Sequence, residues 1–105
     1  MKFSVDEVLA SLPKRANERW TEGVWDVEPF SKAGVKLVFF APDGVDHQTW
    51  HDEDEFYFVV RGSGEFLIAD EREQFTVGDV FFVENGVEHR FENFTDDFAT
   101  WAIFF

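Results

Sequence analysis

Past a short helical start, the hydrophobic period of this chain changes to two, and turn chemistry cuts the rest into short strand-like runs. The better runs are residues 35–40, 48–51, 55–60, 65–69, 74–77, 80–83, 88–91 and 98–105, with a further candidate at 20–25. Between them stand Pro42-Asp43-Gly44, Gly62-Ser63-Gly64, Asp70-Glu71-Arg72-Glu73, Gly78-Asp79, Asn85-Gly86 and the stretch 93–97. Many short strands at close spacing indicate an antiparallel sandwich or barrel.

The first 13 residues read as a helix. Ser4 followed by Glu7 is a capping-box pattern, Val5, Val8, Leu9 and Leu12 form an apolar stripe, and Pro13 ends it. So short a helix must pack on something to persist. Residues 14–19 are charged and polar and read as a connector.

With 105 residues and 12.3 kDa, one domain over 1–105 is expected. Fifteen Phe, four Trp and one Tyr bring aromatics to 19%. That is more bulky apolar surface than a small barrel easily hides, so part should line a pocket or a subunit interface. The formal net charge is −13. Nucleic-acid backbones and anionic membrane surfaces repel such a chain, and no basic stripe relieves this. The acidity is read as a device for solubility before it is read as steering of cationic ligands. There is no cysteine, so neither disulfides nor thiolate metal sites arise. No apolar stretch has the length of a signal peptide or a membrane span, and a cytoplasmic location is expected.

Alternation then places chemistry. Residues two apart in a strand share a face. If Glu55 faces inward, so do Tyr57 and Val59, while Phe56, Phe58 and Val60 face out. If His89 faces inward, so do Val87 and Phe91. If His51 faces inward, so do Thr49 and His47. Apolar residues on both faces of 56–60 point to a second covering layer or a subunit interface. His51, Glu55 and His89 thus share one cavity. Two imidazoles and a carboxylate are a ligand set for a divalent metal, and one that leaves coordination positions open suits Fe(II). The acidic run Asp52-Glu53-Asp54-Glu55 lacks EF-hand spacing and reads as a solvated loop.

Two glycine-punctuated frames hold these residues, and they resemble the paired motifs of the cupin superfamily. In the first motif, His51 fits the second histidine, Glu55 the glutamate and Gly62 the closing glycine, with Gly44 one position late. In the second, Gly78, Gly86, His89 and Asn93 fall in register. Thr49 stands at the first metal-binding histidine, and Glu84 at the proline. The resemblance covers residues 35–105. It implies an all-β fold, a single cupin-like antiparallel β-barrel of the jelly-roll type, here preceded by the short helix.

The resemblance also implies a metal, often held by three histidines and a glutamate. This chain supplies His51, Glu55 and His89. Iron, manganese, zinc or nickel would suit the set. His47 is a fourth ligand, a pocket acid or base, or a surface histidine; two pleat steps separate it from His51 by about 13 Å, too far for easy shared coordination. Gln48 could offer an oxygen only with a bulge. Tyr57 is a candidate proton donor. Three activities stay open: a metal-dependent dioxygenase on a small organic molecule, an isomerase or epimerase on a sugar-like substrate, and a non-catalytic module binding a small ligand. The apolar run 98–105 leads us to expect a homodimer.

Overall fold

The computed structural model describes residues 1–13, 25–48 and 51–105. The expected connector at 14–19, most of the candidate strand at 20–25, and Thr49 lie outside the described residues. Helix α1 spans Val5–Ala10. Ser4 takes the N-cap position in an extended conformation, but its side chain makes no capping hydrogen bond. The capping box is therefore not formed. Packing holds the helix instead: Val5, Val8, Leu9 and Leu12 lie against a cluster built on Phe39, Ala41 and Ala99. Asp6 also meets Arg61 at 3.2 Å, an exposed pair of small energetic weight.

Among the described residues eight strands follow: β1 Asp26–Lys32, β2 Val35–Phe40, β3 Glu55–Arg61, β4 Gly64–Ile68, β5 Glu71–Phe75, β6 Val80–Val83, β7 His89–Glu92 and β8 Ala99–Phe104. They form two sheets, one in the order β1-β2-β8-β3-β6 and one in the order β5-β4-β7. Every pairing is antiparallel. This is the expected jelly-roll architecture. No described helix is long and apolar enough to cross a membrane.

Strand β1 was not expected from the sequence. It is the edge of the large sheet, and its register shifts between Val27 and Phe30. Pro29 sits within that irregularity, where a missing N–H costs the ladder least. Residues 69–73 also differ from expectation. The four-residue turn at 70–73 is a two-residue turn, with Ile68 paired to Glu71 and Ala69 at φ 52°. Glu71 onward is strand. Of the expected strand at 48–51, the described residues Gln48 and His51 are both irregular, and residues 49–50 lie outside the described residues.

The core lies between the sheets. Tyr57, Val59, Phe66, Phe75, Val83, Phe91, Phe98 and Ala102 fill it. Phe66 touches both Phe81 and Phe91 at ring-centroid distances of 4.6 Å. Phe91 continues the aromatic chain to Phe98 at 4.7 Å. Alternation holds in β3: Glu55, Tyr57 and Val59 are buried. Of the outward residues, Val60 packs with the helix cluster. Phe56 forms a surface cluster with Phe58, Phe82 and Phe105. Phe58, Phe82 and Phe105 are 37%, 43% and 48% exposed.

Candidate metal centre

The three donors come from three settings. Glu55 opens β3 and pairs on one side with Val83 of β6 and on the other with Phe104 of β8. Its backbone is therefore locked in the interior of a sheet. His89 opens β7 opposite Ile68. His51 lies in irregular chain, and a main-chain bond fixes it: Gly86 N–H donates to His51 C=O at 2.7 Å. Gly86 has a φ of 77°, which glycine adopts freely. The Asn85 backbone N–H donates to Asp54 Oδ1 at 2.9 Å, a second tie between the two frames. The acidic run is thus structural before Glu55: Asp54 anchors the turn, and Glu53 meets Lys36 at 3.3 Å.

The donor atoms of His51, Glu55 and His89 all lie within 4.8 Å of one another. His89 Nε2 is 2.8 Å from Glu55 Oε1, and His51 Nε2 is 4.0 Å from the same oxygen. The side chains of Glu55 and His89 are each 1% exposed, while that of His51 is 34% exposed. The site therefore opens on the His51 side. Although His89 comes within ion-pair distance, neither Glu55 oxygen has a hydrogen bond of acceptable direction. The 2.8 Å contact brings an imidazole nitrogen and a carboxylate oxygen to the spacing of two donors around one ion. A buried carboxylate left this way is costly without a cation beside it.

His89 is oriented from behind. Its Nδ1–H donates to the Val87 carbonyl at 2.8 Å. A carbonyl only accepts, so Nδ1 carries the proton and the neutral ring presents its lone pair at Nε2. Burial alone pushes this imidazole down. The Glu55 carboxylate, the Val87 carbonyl and Asp46 outweigh burial and hold it above its ordinary value.

Tyr57 joins the site as expected of its face. Its hydroxyl is 3.1 Å from His89 Nε2 and donates to Gln48 Oε1 at 2.9 Å. Burial first, then the Glu55 and Asp46 carboxylates, push the phenol well above its usual range. It is an un-ionised hydroxyl at neutral pH.

Two further groups belong here: Asp46, which sequence reasoning did not place, and Gln48, which it admitted only with a bulge. Gln48 Oε1 is 3.1 Å from His51 Nε2. Gln48 Nε2 donates to Asp46 Oδ2 at 2.6 Å, and the same oxygen accepts Phe91 N–H at 2.8 Å. Asp46 Oδ1 accepts the Gln48 backbone N–H at 3.0 Å. Asp46 is buried, and burial raises its pKa against the lowering effect of these bonds. The irregular chain at 45–48 turns Asp46 and Gln48 toward the barrel and leaves His47 exposed. His47 is not grouped with the three donors. It lines, with Arg90 and Asn93, a surface groove of about 470 Å³ whose wall includes Asp46 and Gln48.

Gly62, which closes the first frame, has a φ of 76°, and a Cβ there would meet the Phe98 backbone at 2.8 Å. Asn93, at the end of the second frame, sits at φ 49° and donates to Glu65 Oε1 at 2.7 Å.

The residues fit a divalent ion. Two imidazole nitrogens and a buried carboxylate without hydrogen bonds converge, one imidazole has its tautomer fixed, and one side is open. His51, Glu55 and His89 could hold such an ion.

Comparison with known proteins agrees with the fold. A family model described as a cupin domain matches residues 36–105. An uncharacterised protein of Streptomyces coelicolor is 36% identical over 59 residues, which is 56% of each chain. The match thus spans about half the length of that curated relative. Among solved structures, a protein of Neisseria meningitidis aligns over 99% of this chain and 98% of its own, at 19% identity and a TM-score of 0.70. KdgF of a Halomonas species aligns over 75% of this chain and 76% of its own, at 20% identity and a TM-score of 0.66. At these identities the structural likeness shows the fold alone.

Proposed function

The chain belongs to the cupin domain family, and from that premise we propose that it is a metal-dependent enzyme acting on a small organic molecule. The observation that carries this is the convergence of His51, Glu55 and His89 within 4.8 Å around a carboxylate that lacks hydrogen bonds. Two histidines and one carboxylate with open positions are the ligand set of oxygen-using iron enzymes, so dioxygenase chemistry leads. His51, Glu55 and His89 would hold the ion; when bound, a redox-active one would supply electron transfer to dioxygen and a redox-inert one Lewis acidity.

This chain's own residues do the rest. His51, the most exposed of the three, marks the side from which a substrate enters. Glu55 and His89 exclude water at the back of the site. Tyr57 offers a neutral O–H beside His89 Nε2, able to hydrogen-bond a substrate oxygen or give it a proton. That phenol favours a second reading, isomerase or epimerase chemistry, in which a proton moves and oxygen is not consumed. His47 would act from the outer groove, as an acid or base on a substrate long enough to reach both places.

The test begins with metal analysis of protein purified without a histidine tag. Stoichiometric metal in the wild type and its loss in His89→Ala support the reading; sub-stoichiometric metal in both sinks it. Oxygen uptake with Fe(II) and candidate small molecules then separates the chemistries. Uptake that persists unchanged in His89→Ala defeats the dioxygenase version, and turnover without oxygen favours the isomerase.

A further inference from the structure

We propose that Gln48 is a fourth protein ligand, its side-chain oxygen taking the place left by Thr49 at the family's first histidine position. The inference rests on the metal reading above and deepens it.

Spacing is the first argument. Two donors about 2.1 Å from one ion and at right angles lie about 3 Å apart, and an opposed pair lies about 4.2 Å apart. Gln48 Oε1 and His51 Nε2 are 3.1 Å apart; without metal this is a hydrogen bond that the amide oxygen accepts from the imidazole N–H, and a metal would replace that proton at the same spacing. His89 Nε2 and Glu55 Oε1 are 2.8 Å apart, and His51 Nε2 and Glu55 Oε1 4.0 Å. The Gln48 oxygen therefore stands at neighbouring-ligand distance from a ligand nitrogen.

Orientation is the second. An amide can present either oxygen or nitrogen, and only the oxygen can ligate. Gln48 Nε2 lies 2.6 Å from Asp46 Oδ2, a carboxylate oxygen that accepts from two N–H groups. The nitrogen must face Asp46, so the oxygen must face the site. Tyr57 O–H donates to that oxygen at 2.9 Å, which agrees, and leaves it a second lone pair.

Registration is the third. Asp46 is itself held by Phe91 N–H of β7, the strand that begins with His89. The Gln48 amide is thus positioned from the same strand that carries a ligand. An outer carboxylate that fixes a ligand's orientation is the arrangement expected around a metal, not around a surface glutamine.

The experiment is Mn(II) titration of metal-free protein, read by water-proton relaxation, which reports affinity and the number of bound waters. In an octahedral site, four protein ligands leave two positions for water, and three leave three. Gln48→Ala is expected to gain one bound water and to bind Mn(II) at least about tenfold more weakly. Gln48→Glu keeps an oxygen at the same reach and is expected to retain the wild-type water count. If Gln48→Ala does not fold, Gln48→Asn, one carbon shorter, is expected to show the same gain. An unchanged water count in the shortened variants overturns the proposal even if affinity falls, because that outcome assigns Gln48 a structural role. A wild type that binds Mn(II) no better than His89→Ala overturns the metal reading and this proposal with it.

Discussion

Asp46 carries a stability prediction that does not depend on metal. Replacing it with alanine removes the acceptor of three N–H groups: those of Phe91 at 2.8 Å, the Gln48 backbone at 3.0 Å and the Gln48 amide at 2.6 Å. The Phe91 bond is buried, and stranding that N–H costs about 1–3 kcal/mol. The two part-buried bonds to Gln48 add about 1 kcal/mol together. Removing a desolvated carboxylate returns some of this, because burial penalises its charge. The net expectation for Asp46→Ala is a loss of about 2–3 kcal/mol, or a melting point lower by about 10–20 °C in a domain of this size. The pH dependence has a fixed sign. The folded pKa of Asp46 lies above its ordinary 3.8. Between those values the folded chain holds more protons than the unfolded one, so the wild type loses stability as pH rises, and the variant lacks that slope. The advantage of the wild type should be largest below pH 3.8, shrink as pH rises through the folded pKa, and stay flat above it. Urea unfolding of both proteins with chelator, across pH, measures this. A loss under about 0.5 kcal/mol, or an advantage that grows with pH, would refute the reasoning.

Three more expectations follow from the geometry. His89, held above its ordinary 6.5, must lose a proton from Nε2 to bind metal, so affinity should fall about tenfold per pH unit once well below the folded pKa; the same group steadies the metal-free fold fully below pH 6.5 and loses that contribution as pH rises through its folded pKa, which calorimetry with and without metal can follow. Gly62→Ala forces a Cβ to within 2.8 Å of the Phe98 backbone at a φ of 76°, and should cost about 2 kcal/mol or more by urea unfolding; a neutral substitution would show that the 61–64 turn relaxes freely. We propose that a second copy of the chain covers the Phe56, Phe58, Phe82 and Phe105 cluster beside β6, which ends the large sheet among the described residues, so light scattering should find a dimer at micromolar concentration and a monomer for Phe82→Glu; a wild-type monomer counts against it.

The barrel was legible because alternation reports burial directly. Strands β2 and β6 match the sequence reading residue for residue, and Glu55, Tyr57 and Val59 face inward as their spacing requires. The elements that were missed or misplaced are edge strands. Strand β1, missed, is interrupted around Pro29 and its register shifts there, and β5, expected at 74–77, begins at Glu71 over four residues that are all exposed and so carry no apolar signal. Of the site, His51, Glu55, His89 and Tyr57 were visible through the motif frames and their faces. Asp46 was not brought into the site, and Gln48 only on condition of a bulge, because strand geometry was extended over 48–51 and the described ends of that stretch are irregular. That departure turns Gln48 inward and leaves His47 outside. A buried acid two residues before a glutamine, just after a glycine turn, was the available signal, and it is weak.

The bond from Gly86 to His51 is made by main chain on both sides. Point changes can therefore exchange the ligands around the site, as Thr49 and Glu84 already depart from the motif, without shifting the two frames against each other. An inserted or deleted residue between Gly86 and His89 would do the reverse, preserving every side chain while moving one imidazole off the common centre. In a lineage of such barrels, chemistry is free to drift by substitution, whereas the spacing of the second frame tolerates almost no change in length.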